Sequence, residues 1–166
     1  MNNLLSAIMT KLSGSAQFAY IQTYLADGSY KADGSIHAGS DRDITELYND
    51  VGGRIFLDEA PEGTEFPYVV FFIVSDVPEK TFTEDFENII IQFSLFSASA
   101  GVTEISTMYN DLTAVLDECS LTITGYTHIW MNRQNLTTMV EEITVQSAVA
   151  TVKHWAVDYD IKISLD

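Results

Sequence analysis

The sequence predicts an α+β fold, with a mostly antiparallel sheet, an N-terminal helix and one long helix packed on the sheet. Three observations support this class. Residues 68–74 form an uninterrupted apolar run, residues 105–119 carry apolar side chains at helical spacing, and residues 152–165 alternate between apolar and polar types. Strands and helices do not alternate regularly along the chain, which disfavours a parallel α/β sheet. We expect a single domain over residues 1–166.

The apolar run at residues 68–74 organises this prediction. It is rich in β-branched and aromatic residues, is too short for a helix and has no polar alternate positions. Such a run is typical of a strand that is buried on both faces. We therefore place it at the centre of the sheet, covered by helices or by another subunit.

The segment before this run carries turn signals. Gly52 and Gly53 end the preceding element, because glycine tolerates backbone angles that other residues avoid. Residues 54–57 read as a short strand, and Pro61 and Pro67 bracket an acidic turn. After the run, residues 76–79 predict another turn.

Residues 86–96 predict the next strand, and its core face is formed by Ile89, Ile91, Phe93 and Leu95. The clearest helix follows, since one stripe at helical spacing contains Ile105, Met108, Tyr109, Leu112, Val115, Leu116 and Cys119. An N-terminal amphipathic helix is expected over residues 2–12, and a helical turn or two over residues 43–50.

Two segments are harder to place within the core. Residues 26–43 contain repeated Asp-Gly turns and few large apolar side chains, which predicts a surface excursion. Their aspartates do not match a calcium-binding loop, so contact with a partner or a tolerated insertion is favoured over a metal site. A late strand is expected over residues 126–140, with Ile129 and Met131 on one face, and residues 137–151 predict an extended hairpin or arm.

Charge is the strongest compositional fact. Eight basic against 24 acidic residues give a net charge of −16. Such a surface repels phosphates, which disfavours a sequence-specific nucleic-acid binder. Solubility, a high-salt habitat, or a surface that nucleic acid must pass without sticking could each explain it. No apolar run reaches membrane-spanning length, and no secretory signal is apparent.

The sequence contains none of the common catalytic motifs, and no cofactor is expected. His154, Asp158 and Asp160 would share one strand face, so a metal or acid–base cluster is conceivable, although a solvated face is favoured. A Cys119–His128 nucleophile pair is disfavoured because a thiol on a core stripe stays protonated.

Residues 52–75 resemble the tail-completion or tail-terminator proteins of long-tailed bacteriophages. The resemblance is carried by three short stretches in residues 52–56, 60–61 and 66–70, namely Gly-Gly-Arg-Ile-Phe, Ala-Pro and Phe-Pro-Tyr-Val-Val. A preceding N-terminal helix, the strand at residues 86–96 and the helix containing residues 108–116 agree with it. It covers residues 45–120 well and the later strands loosely. The segments at residues 26–42 and 137–151 are longer than in the family.

The resemblance implies a subunit of a homohexameric ring that caps the head-proximal end of the tail tube, stops its polymerisation and forms the head-joining surface. The implied partners are other copies of the chain, the tail tube protein and a head-completion or neck protein. Genome DNA would pass through without specific binding, and no membrane is involved. The protein would be assembled in the host cytoplasm and reside in the virion. The alternatives are a tube or head-completion protein and, less favoured, a metal-dependent small-ligand enzyme.

Site residues follow from the same interpretation. Six residues are assigned as a structural motif, in which Arg54 is expected to pair with a carboxylate near Asp58 or Glu59: Gly52, Gly53, Arg54, Pro61, Pro67 and Tyr68. Six others are candidate interface residues: Asp27, Tyr30, Asp33, Ile36, Asp41 and Arg133.

Overall fold

A computed structural model describes residues 2–14, 45–82, 84–145 and 148–165. These residues form three helices and five strands: α1 (Asn2–Ser13), α2 (Glu46–Asp50), β1 (Ile55–Leu57), β2 (Tyr68–Lys80), β3 (Asp85–Ser97), α3 (Thr103–Leu116), β4 (Tyr126–Val145) and β5 (Ala148–Leu165). The predicted excursion at residues 26–43 lies outside the described residues, together with five candidate interface residues: Asp27, Tyr30, Asp33, Ile36 and Asp41.

The five strands form one sheet in the order β1-β2-β3-β5-β4. The fold is α+β, but the sheet is mixed, because β1 runs parallel to β2 while the other three pairings are antiparallel. The loop at residues 58–67 is the reason, since it returns the chain to the start of β2 instead of closing a tight hairpin.

One face of the sheet packs against the helices, and we call it the helical face. Strand residues on this face, such as Ile91, Phe93 and Tyr159, are fully buried in one hydrophobic cluster with helix residues. The helix contributions are Leu4, Ile8 and Leu12 of α1, Leu47 of α2, and Ile105, Met108, Leu112 and Leu116 of α3. Burying one such side chain stabilises the fold by about 1.5–3 kcal/mol.

We call the opposite side of the sheet the outer face. Its central residues are Tyr68, Val70 and Phe72 of β2, Gln92, Ser94 and Phe96 of β3, and His154, Ala156 and Asp158 of β5. Val70 and Ala156 are buried, but they do not belong to the hydrophobic cluster that contains the helices. The outer face is therefore packed separately from the core.

Only the first part of the apolar run at residues 68–74 lies inside the sheet, where it is flanked by β1 on one side and β3 on the other. Val69 and Phe71 are buried on the helical face, and Val70 is buried on the outer face. Val74 is 52% exposed, which contradicts burial of the whole run. The reason is a register shift between Ile73 and Ser75, which leaves Val74 as an extra residue.

The predicted turn at residues 76–79 is wrong. These residues continue β2 to Lys80, and the chain reverses between Lys80 and Asp85, which pair as the last residues of the two strands. Pro78 is tolerated in the strand because β1 pairs only with Val69–Phe71, so this part of β2 has a free edge among the described residues.

The glycine pair ends α2 as expected, with positive φ at Gly52 (55°) and Gly53 (76°). A side chain at Gly53 would also place its Cβ 2.9 Å from the Tyr48 hydroxyl oxygen. Cys119, in contrast, is not on a helix. The helix α3 ends at Leu116, and Glu118 then adopts a φ of 54°, which turns the chain away before Cys119.

The last two strands form a long hairpin, paired from Tyr126 with Leu165 to Val145 with Ala148. Pairing of β5 with β3 stops at Lys153, so the far end of the hairpin is two-stranded in the described structure. Met131 is buried, but Ile129 is exposed, contrary to the prediction that they share a face. A register shift between His128 and Trp130 makes Ile129 the inserted residue.

Candidate functional site

A row of stacked rings crosses the outer face at the beginning of β2. Tyr68 pairs with Phe96, and Phe96 pairs with His154, so the three side chains stand side by side. Ring centroids are 5.2 Å apart for Phe66 and Tyr68, 4.8 Å for Tyr68 and Phe96, and 4.3 Å for Phe96 and His154. We call these four residues the aromatic ladder. Such cross-strand pairs contribute about 0.5–1.5 kcal/mol each beyond area burial.

The aromatic ladder ends in a polar contact. His154 has a side chain that is only 14% exposed, and its Nδ1 lies 2.9 Å from Glu141 Oε1 on β4. The other ring nitrogen, Nε2, is buried and has no hydrogen-bond partner in the part of the chain that the structure describes. Burial, followed by the nearby charge of Glu141, raises the pKa of Tyr68 above its ordinary value. This end of the sheet is thus held by side chains from four strands.

A groove of about 340 Å³ runs beside the aromatic ladder. Its floor is formed by the small side chains of Val70 and Ser94, which pair across β2 and β3. Its walls are Tyr68, Phe72, Gln92, Phe96 and His154, and its rim carries Asp58, Glu59 and Ala60. The Gln92 amide is fixed because its Nε2 donates to Asp158 Oδ1 at 2.8 Å. Aromatic and small side chains therefore line the groove, and two carboxylates stand at its rim.

The predicted motif residues fasten β1 to β2 at the border of this groove. Arg54 Nε donates to the Pro67 carbonyl oxygen at 3.0 Å, and Val69 N donates to the Arg54 carbonyl oxygen at 2.9 Å. The expected ion pair of Arg54 with Asp58 or Glu59 is wrong, because no such contact within 4 Å exists among the described residues. Pro61 lies in the intervening turn, where its carbonyl oxygen accepts from Thr64 N at 3.1 Å.

Comparisons with known proteins identify the family. The model of the tail completion protein gp17 family matches residues 37–164. The chain belongs to this family. Among solved structures, a chain from the "Virion of native gene transfer agent (GTA) particle" has the same fold, with a TM-score of 0.55, 15% identity, and coverage of 82% of this chain and 99% of that chain. No curated protein matches the sequence.

Membership in the tail completion family makes this a structural protein of a phage-type tail and neck, located in the virion. No helix in the described ranges combines the length and hydropathy required to cross a bilayer.

Arg133 is the one candidate interface residue of this tail completion protein that the structure describes. Its Nη2 lies 3.1 Å from Asp117 Oδ2, its Nη1 donates to the Tyr109 hydroxyl, and the guanidinium stands 5.4 Å from the Tyr109 ring centroid. Tyr159 also donates its hydroxyl to Asp117, at 2.7 Å. Burial and the bond to Asp117 raise the pKa of Tyr159. Arg133 thus braces β4 against the end of α3, and an interface role stays a prediction.

The structure does not bring His154, Asp158 and Asp160 together as the metal or acid–base cluster that the sequence left conceivable. Within the described ranges, no three His, Cys, Asp or Glu side chains are close enough to hold a metal ion. His154 contacts Glu141, and Asp158 accepts from Gln92. Four residues along a strand separate His154 from Asp158 by about 13 Å, so both cannot ligate one ion.

The Cys119–His128 pair also lacks support as a nucleophile. Cys119 Sγ lies 3.7 Å from Met131 Sδ, and burial raises the pKa of the thiol. Burial lowers the pKa of His128. The thiol therefore stays protonated at neutral pH, which suits a packing role.

Sequence reasoning missed two features of this family member. The aromatic ladder can be predicted only when the pairing register of the strands is known. The aromatic residues at positions 66, 68 and 96 indicate only that rings are present in this region. The other feature is a pair of carboxyls between α2 and α3. The pKa of Asp50 is raised to about 6, by burial first, then by a hydrogen bond with Asp111 and the charges of Asp111, Glu46 and Glu104.

Proposed function

We propose that this protein is a tail terminator, which forms a six-membered ring at the head-proximal end of the tail tube. The ring would stop tube polymerisation and offer the surface to which the head joins. The family match over residues 37–164 carries this proposal. Its partners would be other copies of the chain, the tail tube protein and a head-completion or neck protein.

The two faces of the sheet support a role in assembly. The helical face supplies a core within one subunit, whereas the outer face has a groove, stacked rings and acidic rim residues that are suited to contacts with another protein. Interfaces are enriched in aromatic residues because these bury a large area at a small cost in conformational entropy.

The charge supports passage of the genome. A net charge of −16 on each subunit would make a closed ring strongly negative. The negative channel surface would repel the phosphate backbone, so DNA would pass through without binding specifically. No catalytic step is required of the protein in this role.

Electron microscopy of particles that lack the gene tests the proposal. We expect overlong tails, or tails that are not attached to heads, and supplying the wild-type protein in trans should restore normal particles. Normal, head-joined tails in its absence would overturn the proposal. A purified protein that polymerises alone into long tubes would instead assign it as a tube subunit.

A further inference from the structure

The groove on the outer face combines negative charge, hydrogen-bond acceptors and aromatic rings. Its described lining contains no lysine or arginine, whereas Asp58 and Glu59 at the rim are exposed carboxylates. Ser94 and Gln92 add oxygen atoms that can accept hydrogen bonds. His154 in the wall already contacts a carboxylate of β4 through its Nδ1. The groove therefore suits a ligand that brings a positive charge and several hydrogen-bond donors.

The rim carboxylates stand on a backbone that is tied to β2. Asp58 N donates to the Phe71 carbonyl oxygen at 3.0 Å, directly after the last parallel pair of β1 and β2. Asp58 has a φ of 65°, a left-handed conformation that aspartate and asparagine adopt more readily than most residues do. Glu59 N then donates to the Leu57 carbonyl oxygen at 2.8 Å. A tight turn thus carries both carboxylates at the point of β2 where Phe72 follows.

Phe72 offers a ring face to the groove. The other three rings of the wall, Tyr68, Phe96 and His154, stack on one another. Phe72 is partly exposed, and within the described ranges it makes no ring contact. A cation is attracted to the face of an aromatic ring, and arginine is found there more often than lysine because its planar guanidinium stacks. The groove therefore presents a ring face together with two carboxylates.

The chain itself is a poor source of that cation. It has 24 acidic and eight basic residues, so two copies repel each other. Within the described ranges, five basic side chains already contact groups of their own chain: Arg54, Lys80, Arg133, Lys153 and Lys162. Charge complementarity therefore favours a different protein, one that is basic at the contact.

We infer that the outer-face groove receives an arginine side chain from a neighbouring protein of the virion. The guanidinium stacks on Phe72 and donates to Asp58 and Glu59, while the methylene stem packs on the small side chains of Val70 and Ser94. The inference rests on the proposed role in assembly and names the chemistry of one contact within it.

The size of the groove and the shape of a guanidinium agree with this occupant. The volume of about 340 Å³ is more than twice that of a ~150 Å³ cavity that takes up benzene in another protein. A guanidinium has five N–H donors in a planar fork that matches a carboxylate, whereas an ammonium has neither the plane nor the fork. The groove should therefore distinguish arginine from lysine.

NMR of valine methyl groups on the full chain measures binding of a single arginine, whether the protein is a monomer or a ring. The ligand is Nα-acetyl-arginine amide, compared with the same derivatives of lysine and of citrulline, the neutral isostere of arginine. We expect saturable shifts of the Val70 methyls on the groove floor, with a dissociation constant on the order of 1 mM. Val69, which is fully buried on the helical face, should not shift. Lysine should bind about threefold more weakly and citrulline about tenfold more weakly.

Two sets of variants test the groove. Asp58→Asn with Glu59→Gln should weaken arginine binding about fivefold or more, because charge-assisted hydrogen bonds are lost. Glu62→Gln with Glu65→Gln is the matched control, since it removes two exposed carboxylates from the same loop but outside the groove lining. Phe72→Leu should weaken binding roughly twofold to fivefold, because it keeps an apolar side chain and removes the ring face. Circular dichroism and melting curves should show that all three proteins fold like the wild type.

Three results would overturn the arginine site. One is equal binding of arginine and citrulline. Another is equal arginine binding by the Asp58/Glu59 variant and its Glu62/Glu65 control. The third is a set of arginine-induced shifts that spread over the acidic surface without saturating at Val70.

Complementation of particles that lack the gene separates this contact from the proposed function. Asp58→Asn with Glu59→Arg should lower the yield of head-joined tails of normal length by about tenfold or more, as expected for an interface anchor. Glu62→Gln with Glu65→Arg makes the same change in charge and should complement like the wild type. Equal complementation by these two variants would overturn the contact and leave the terminator role intact. Normal tails in particles without the gene would overturn the terminator role, whatever arginine binding shows.

Discussion

The two faces of the sheet are built from the same strands but differ in burial and in composition. Along β3, Ile89, Ile91, Phe93 and Leu95 are fully buried against the helices, whereas the intervening positions carry a mixture of apolar and polar side chains. The helical face is continuous and apolar, so it supplies the folding free energy. The outer face is assembled from rings, amides and carboxylates, so it can specify contacts. One strand can therefore stabilise the fold on one side and carry polar and aromatic groups on the other.

The largest expected difference comes from replacing one phenylalanine on each face by alanine. Phe93→Ala should destabilise the subunit by about 3–5 kcal/mol, because it leaves a cavity between Phe71 and Tyr159. Phe96→Ala, on the outer face, should cost only about 1–2 kcal/mol, since a half-buried ring loses stacking with Tyr68 and His154. Urea unfolding followed by circular dichroism measures both. Equal losses would mean that the outer face also belongs to the core.

A second comparison removes one hydroxyl from each face. Tyr159→Phe should cost about 1–2 kcal/mol, because Asp117 loses a hydrogen bond that links β5 to the end of α3. Tyr68→Phe should change stability by less than about 0.5 kcal/mol, since its hydroxyl has no hydrogen bond with another described residue. Thermal unfolding of the two variants at pH 7 measures this. A larger loss for Tyr68→Phe would reverse our account of the two faces.

The smallest effect concerns the carboxyl pair in the helical layer. The pKa of Asp50 is raised from 3.8 to about 6, so the folded state binds more protons than the unfolded state between about pH 4 and 6. Stability therefore falls as pH rises through this window. Asp50→Asn should remove this dependence and stabilise the fold at pH 8 by at most about 1 kcal/mol, because Asp50 is largely exposed and solvent screens its charge.

Melting temperatures at pH 4.5, 6 and 8 measure that change. Asp76→Asn is the control, since it removes an exposed carboxyl from β2 without touching the pair. If Asp50→Asn is no more stable than the control at pH 8, the two carboxyls do not repel each other in the folded protein.

The helical face could be predicted from the sequence because its signal is local. Period-two alternation in β3 and the apolar stripe of α3 identify the buried residues without knowledge of any partner strand. The outer face could not be predicted in this way. The aromatic ladder depends on which residues of β2, β3 and β5 are paired. The sequence of a single strand does not determine this pairing register.

The wrong predictions have the same origin. Pro78 indicated a turn, but its tolerance depends on how far β1 extends beside β2. Alternation places Ile129 on the same face as Met131, but an inserted residue shifts the alternation in β4. The carboxylates near Arg54 in the sequence predict an ion pair, but the side chain donates to a backbone carbonyl oxygen, which no side-chain pattern reveals. The parallel direction of β1 depends on the path of a loop.

The free part of β2 has a consequence for how copies can meet. The inserted Val74, the proline at position 78 and the charged residues Asp76, Glu79 and Lys80 lie along this border of the sheet. Each hinders hydrogen bonding by a foreign strand. Even at high concentration, two copies of this chain are therefore hindered from joining their sheets edge to edge into an amyloid-like ribbon.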